Sequence, residues 1–150
     1  MNILIIVSLL TVLVGGTVNL LSIEEDLCRG RSCLAGIQAN LKTVQVQGEL
    51  FYDSNGYRYS ATNLTSPFSG KCPEFGDGDT MFAKDRTIAN AIETVKKMGS
   101  ENVNCYMPAD AQSWAIDVRF KNDYYDSWCA DSMGNAGKTT INPITGLCSK

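Results

Sequence analysis

The first 23 residues form an uninterrupted run without a charged side chain, which ends abruptly at Glu24, Glu25 and Asp26. As an α-helix this run would be about 35 Å long, at ~1.5 Å per residue, which is enough to cross the hydrocarbon core of a membrane. Three interpretations compete for it: a cleaved secretory signal, a permanent membrane anchor, and an anchor that later becomes the core of a filament.

A plain secretory signal fits the beginning of the chain poorly. Such signals normally open with Lys or Arg, but the sequence opens MNIL, and apolar residues continue as far as Ile23 beyond the small residues Gly15 and Gly16. Each Gly weakens a helix by roughly 1 kcal/mol relative to Ala. We therefore predict a hydrophobic helix over residues 1–27, with a break at Gly15 and Gly16 where a packed helix can stretch.

An amphipathic helix is predicted over residues 32–52, because apolar positions recur there in steps of three and four and so share one face. Lys42 and Glu49 fall elsewhere on its surface, and residues 53–56 are turn formers in which Asn or Gly can adopt a left-handed conformation. The predicted stripe consists of Leu34, Ile37, Leu41, Val44, Gly48 and Phe51.

A second helix is predicted between Asp85, a suitable N-cap, and Gly99, a suitable stop, with Lys96 and Lys97 in its last turn. Its apolar stripe consists of Ile88, Ala91, Ile92, Val95 and Met98.

Alternation of apolar and polar positions after this helix predicts strands instead. Residues 113–120 form a half-buried strand in this interpretation, residues 103–107 and 124–130 are two further candidates, and residues 57–72 are irregular with short strands. The inward set of the central strand is Trp114, Ile116, Val118 and Phe120. The sequence thus predicts an α+β fold, in which a long N-terminal hydrophobic helix continues into an amphipathic helix packed on a small antiparallel sheet.

The composition argues against two classes of function. The chain has 13 basic and 16 acidic residues, a net charge of −3, without the clustered Lys and Arg of a nucleic-acid interface. It contains no histidine, which is the commonest general base and metal ligand, and no recognisable nucleophile motif. We therefore expect neither an enzyme nor a nucleic-acid-binding protein, and no cofactor or catalytic residue.

Six cysteines in 150 residues predict disulfide bonds and an oxidising compartment. Buried free thiols and a zinc site are the alternatives, but no CxxC pair exists. A disulfide between Cys28 and Cys33 requires the helix to break at Gly30; each could instead pair elsewhere or with a neighbouring subunit, and we favour the local ring. The disulfide candidates are Cys28, Cys33, Cys72, Cys105, Cys129 and Cys148, the last of which is expected to pin the tail to the domain.

Two short motifs invite a functional interpretation that we do not adopt. Residues 63–65 match a glycosylation sequon, a tripeptide that often occurs by chance. Asp77 and Asp79 could present carboxylates to calcium, but the later glutamate of a calcium-binding helical-hairpin loop is missing, so an exposed acidic turn is expected.

The segment NLKTVQVQGELFYDSNGYRYS lies on a helix that continues an uncharged N-terminal segment. In this arrangement the chain resembles type IV pilins and the pseudopilins of type II secretion. The later segments KCPEFGDGDTMFAKDRTIANAI, NVNCYM, QSWAIDVRF and WCADSMGN are similar to a subgroup of bacterial pilin-like sequences with comparable cysteine positions. The resemblance covers roughly residues 34–135, and its register places Met1 at or next to the mature N-terminus, after loss of a leader that this sequence does not contain.

The resemblance implies a pilin-like fold, with residues 1–27 as a membrane and filament-core helix and residues 28–150 as a disulfide-stabilised head. It implies a structural subunit of a type IV pilus-like extracellular filament, used in adhesion, surface attachment or motility and held in the inner membrane before assembly. Its partners would be copies of itself or other pilin-like subunits, and an unknown surface or cell target. The implied assembly positions are Ile3, Leu4, Ile5, Ile6, Leu9, Leu10, Val12, Leu13, Leu20 and Leu21.

One departure from the family concerns assembly. Pilins usually carry a glutamate at the fifth mature position, which neutralises the N-terminal amine of a neighbour, but here Ile5 stands there and Asn2 is the sole early polar side chain that could act as a partner. Because a buried unpaired charge costs several kcal/mol, the resemblance then implies a minor or tip subunit, or one held mainly by apolar packing. The alternative function is a secreted or membrane-anchored disulfide-rich binding module, with residues 1 to about 22 as signal peptide or anchor.

Overall fold

The computed structural model of the chain describes residues 31–98, 100–120 and 127–149. The hydrophobic helix predicted over residues 1–27 lies outside the described residues, and so do all its assembly positions, Gly15, Gly16 and Cys28. Within the described ranges, no helix combines the length and the apolar character needed to cross a membrane.

The described residues form helices on one antiparallel sheet of five strands, in the order β1-β2-β3-β4-β5. This confirms the predicted α+β fold with an amphipathic helix on a small antiparallel sheet. In chain order the elements are α1 (Arg31–Ser54), β1 (Phe68–Lys71), α2 (Met81–Lys84), α3 (Arg86–Lys97), β2 (Ser100–Met107), β3 (Ala115–Phe120), β4 (Ser127–Asp131) and β5 (Ala136–Gly137).

Helix α1 covers the predicted range and buries the predicted stripe. Its central positions, Ile37, Leu41, Val44 and Gly48, are buried, whereas the outermost members of the stripe are half-buried. Gly48 allows a close approach to Trp114, because a Cβ there would lie 3.3 Å from the indole nitrogen of that fully buried residue. The stripe of α1 therefore belongs to the same core as the sheet and α3.

The end of α1 is a left-handed turn of the kind that the sequence predicted. The backbone N–H of Tyr57 donates to the carbonyl of Tyr52 at 2.9 Å, and Gly56 between them has a φ of +67°. This six-residue closure, with glycine at the left-handed position, is the Schellman motif.

Helix α3 begins at the predicted N-cap. One carboxylate oxygen of Asp85 accepts from the backbone N–H groups of Thr87 at 2.8 Å and Ile88 at 3.0 Å. The other oxygen accepts from the side-chain amide of Gln47 on α1, at 2.9 Å. Asp85 thus caps one helix and ties it to the other. The predicted stripe of α3 is buried, with Met98 half-buried at its end, and Gly99 lies outside the described residues.

The central strand, β3, differs from the prediction on its outer face. Trp114, Ile116 and Val118 are buried as expected, but Ala115 and Asp117 are buried too, so the prediction of a half-buried strand was wrong for the first half of β3. The reason is that Ala115 packs with two disulfide-bonded cysteines of β4 and the tail. The carboxyl-terminal segment therefore covers part of the second face of the sheet.

Strand β4, Ser127–Asp131, overlaps the third predicted strand. The first three residues of the predicted range 124–130 lie outside the described residues.

Candidate functional site: the carboxyl-terminal loop and the outer face of α1

Two disulfides have both of their cysteines among the described residues. Cys72, just after β1, is bonded to Cys105 of β2 across a sequence separation of 33 residues, and Cys129 of β4 is bonded to Cys148 across 19 residues. Both confirm predicted disulfide candidates, and the second pins the tail to the domain as expected. Cys33 is also disulfide-bonded, while its predicted partner Cys28 lies outside the described residues.

Asp131, at the end of β4, organises the carboxyl-terminal loop, which we define as residues 132–149. Its fully buried carboxylate accepts from the backbone N–H groups of Met133 and Asn135, both at 3.0 Å, and from the amide side chain of Asn135 at 3.0 Å. It also accepts from the backbone N–H of Cys148 at 3.1 Å. One side chain thus holds both ends of the loop beside the disulfide.

Helix α1 is fastened to the same loop by Gln45. The side-chain amide of this buried residue donates to the carbonyl oxygens of Asp131 and Asn135, each at 3.1 Å. Because buried polar groups need partners, these bonds fix the position of the loop relative to the helix.

The last turn of the loop is held against β2. Gly146 has a φ of +66°, and a Cβ at this position would overlap the ring of Tyr106. The backbone N–H of Gly146 donates to the carbonyl of Asn142 at 2.8 Å, and the side chain of Asn142 accepts from the N–H of Ile144 at 2.9 Å. The loop is therefore a built structure, and it presents Ile144 at its tip with 91% of its surface exposed.

The outer face of α1, which we define as Ala39, Thr43, Val46 and Leu50, lies opposite the buried stripe. Val46 is 54% exposed and Leu50, one turn further on, is 56% exposed. Exposed Ala39 and Thr43 continue this face toward the N-terminus of the helix. Helix α1 therefore has apolar side chains on two opposite sides, whereas an ordinary surface helix has one apolar stripe and one polar face.

A buried hydroxyl lies beside this helix. Tyr59 donates to a carboxylate oxygen of Glu49 at 2.8 Å. Burial raises the pKa of the Tyr59 hydroxyl far above its usual range, and the neighbouring Glu49 carboxylate raises that pKa further. Tyr59 therefore acts as a permanent hydrogen-bond donor over the neutral pH range.

The predicted acidic turn is engaged in contacts within the head. The ammonium group of Lys84 at 3.1 Å and the hydroxyl of Thr62 at 2.9 Å hold the pKa of Asp79 below its usual range. Asp77 is exposed, and so is Asn63 of the sequon. Across residues 31–98, 100–120 and 127–149, no group of three or more potential ligand side chains lies close enough together to hold a metal ion.

Two features of this site were not predicted from the sequence. The apolar residues Val46 and Leu50 are visible in the sequence, one turn apart and outside the predicted stripe, and they carried the signal for a second apolar face. The role of Gln45 carried no such signal, since the carbonyl oxygens that it binds lie 86 and 90 residues further along the chain. The role of Asp131 was missed too, although the partners of its carboxylate lie 2, 4 and 17 residues away.

Comparison with known proteins returned no matching protein-family model, no matching curated protein and no matching solved structure.

Proposed function

We propose that the chain is a structural subunit of a type IV pilus-like extracellular filament that serves in adhesion, surface attachment or motility. The observation that carries this proposal is the outer face of α1, where Val46 and Leu50 expose apolar surface opposite the core. A helix with two apolar sides suits a subunit whose first side is buried in its own head and whose second side is covered by neighbouring subunits.

The sequence before α1 supports the same arrangement. Residues 1–23 carry no charged side chain. In this proposal they hold the subunit in the inner membrane before assembly and become part of the filament core afterwards. Both environments suit an apolar helix whose backbone hydrogen bonds are all internal.

In this proposal assembly depends mainly on apolar packing, because residues 1–23 offer no carboxylate for the charge pairing that pilins use. Each square ångström of apolar surface removed from water contributes roughly 25 cal/mol, and a helical filament repeats the same contact in every copy. Repeated burial of apolar surface would therefore hold the subunit in the filament through the outer face of α1 and the residues before that helix.

The head suits exposure outside the cell. Two disulfides and the network around Asp131 fasten the sheet and the carboxyl-terminal loop, and disulfides persist in oxidising compartments. The proposed partners are copies of the chain or related subunits, together with a surface or cell target.

Mass spectrometry of the mature N-terminus, on protein sheared from cell surfaces, tests this proposal against the secreted binding module. Retention of Met1, particularly with a methylated amine, is the expected result. A mature chain that begins near Ser22 would contradict the filament and favour the secreted module, since the proposed core helix would have been removed.

A further inference from the structure

Two strained backbone positions are linked to each other within the head. Among the described residues, the two non-glycine residues with positive φ are Tyr57, at +61°, and Ala111, at +53°. They belong to different loops, yet the N–H of Tyr59 donates to the carbonyl of Ala111 at 2.9 Å, and the amide of Gln112 donates to the carbonyl of Tyr57 at 3.2 Å. Strained conformations persist where surrounding contacts enforce them, and they cluster at functional sites.

The helix end alone does not account for the conformation of Tyr57. The Schellman motif requires a left-handed residue at Gly56 and explains the ring contact between Tyr57 and Tyr52, whose centroids are 5.7 Å apart. It does not require a left-handed conformation at the residue after the glycine. That conformation presents the phenol ring of Tyr57 to solvent, with 66% of the residue exposed.

The residues that hold this turn in place carry polar side chains. The hydroxyl of Tyr52 donates to the side-chain oxygen of Gln112 at 3.2 Å, and the N–H of Gln112 donates to the carboxylate of Asp110 at 3.1 Å. The guanidinium of Arg58 donates to the side-chain oxygen of Asn63 and, at 3.4 Å, to the carbonyl of Asp110. We define the tyrosine platform as Tyr52, Tyr57, Arg58, Asn63, Asp110 and Gln112.

The chemistry of the tyrosine platform matches a sugar ring. A pyranose has an apolar face of C–H groups and an edge of hydroxyl groups, and the platform offers an exposed aromatic ring beside amide, carboxylate and guanidinium groups. Tyrosine supplies rigid amphipathic contact area at a low cost in conformational entropy, and planar polar side chains supply the hydrogen bonds. With one basic and one acidic residue, the platform has no excess charge that would select an ionic ligand.

We propose that the tyrosine platform binds a pyranose ring of a saccharide, which stacks on Tyr57 and forms hydrogen bonds with Asp110, Gln112 or Asn63. This inference goes beyond the proposed filament and does not depend on it, since every contact involved lies within one chain.

The test uses the unassembled full-length chain in a detergent without a sugar head group. It is applied to a panel of immobilised oligosaccharides that end in glucose, galactose, mannose or N-acetylglucosamine, and any that bind are titrated in solution. The variant Tyr57→Gly removes the ring while suiting the left-handed backbone, and it should weaken binding about tenfold or more, as expected for a central aromatic contact. Tyr57→Phe keeps the ring and should retain most of the affinity.

Phe75→Ala is the matched control, because Phe75 is another exposed aromatic residue, 46% exposed, that packs under Arg86 and is not part of the platform. It should leave binding unchanged. Failure of every saccharide on the panel to bind, or equal affinity of Tyr57→Gly and the parent, would overturn the proposal. Because no filament is needed, such a failure would leave the proposed filament function standing, and a failure of filament formation would leave this site standing.

Discussion

Gly56 and Gly146 have nearly the same backbone conformation, with φ of +67° and +66°, but they serve different purposes. A Cβ at Gly56 would meet nothing within 4 Å, so glycine is favoured there by the backbone alone. At Gly146 the Cβ would overlap the ring of Tyr106, so glycine is also required for the close approach of the loop to β2.

Gly146→Ala should therefore cost more stability than Gly56→Ala. We expect a loss of roughly 2–4 kcal/mol in the free energy of unfolding at position 146, where strain and overpacking add, and about 1 kcal/mol at position 56. Urea denaturation of both variants measures the difference. Equal losses would show that the contact between the loop and Tyr106 contributes nothing.

Tyr59 gives the head a defined response to alkaline pH. A tyrosine hydroxyl ordinarily titrates near pH 10, at about the value found in unfolded chains, and burial together with Glu49 raises the pKa of Tyr59 in the folded state. The folded state thus holds this proton more tightly than the unfolded state. The stabilising contribution is fully present below about pH 10 and is lost as pH rises above it.

We expect Tyr59→Phe to reduce the loss of unfolding free energy with rising pH in the alkaline range. One titrating group can contribute at most about 1.4 kcal/mol per pH unit to that slope. The slope is measured by urea denaturation between about pH 7 and pH 11, a range that includes the ordinary tyrosine pKa of about 10. Tyr57→Phe, which removes the hydroxyl of an exposed tyrosine, is the matched control variant. A Tyr59→Phe profile parallel to that of the parent would contradict the assignment.

At the scale of elements, long periodic segments were predictable and short ones were not. The stripes of α1 and α3 each extend over several turns, so their apolar spacing predicts both helices and the N-cap at Asp85. Strand β1 and helix α2 have four residues each, and β5 has two. Segments that short are specified by their partners in space, so no pattern in the chain identifies them.

Asp85 is the N-cap residue of α3, and its substitution should cause a measurable loss of stability. Asp85→Ala removes the two cap hydrogen bonds and the bond from Gln47, and we expect a loss of about 1–2 kcal/mol in the free energy of unfolding. Thermal unfolding followed by circular dichroism measures it. Asp53→Ala, at an exposed position near the end of α1, should cost far less; comparable losses would argue against the cap.

The outer face of α1 carries the prediction about assembly. Leu50→Asp should abolish or strongly reduce surface filaments, because it places a charge where a neighbouring subunit would cover Leu50. The melting temperature of the isolated chain should change little, because the Leu50 side chain is half exposed. Counting filaments by electron microscopy measures the effect. The control Asn90→Asp makes the same change in charge at an exposed position of α3, and this variant should assemble normally. Normal filaments from Leu50→Asp would contradict this role.

At the scale of the whole molecule, cysteine number predicted disulfides but not their connectivity. Cys72 and Cys105 meet because β1 and β2 are neighbours, and Cys129 and Cys148 meet because the tail folds back over the sheet. The second contact also buries Ala115, which the alternating pattern of β3 could not show. The candidate site was likewise predictable only in part, since the apolar face of α1 is local whereas the Gln45 and Asp131 contacts depend on the tertiary fold.

Removing the tail disulfide should weaken the head without unfolding it. In the chain-entropy view, a loop closed across 19 residues contributes about 3 kcal/mol. The double variant Cys129→Ala with Cys148→Ala should lose roughly that much stability, and Cys72→Ala with Cys105→Ala slightly more because its loop is longer. Urea denaturation compares both with the parent. A tail variant as stable as the parent would mean that the Asp131 network alone fixes the loop.

The central claim is that this chain is built into a filament. Immunogold electron microscopy of filaments sheared from the cell surface, with an antibody against the head, tests it most directly. We expect gold on the fibres, along their length for a major subunit or at their tips for a minor one. Antibody bound solely to soluble secreted protein or to membrane fragments, with fibres free of gold, would contradict it.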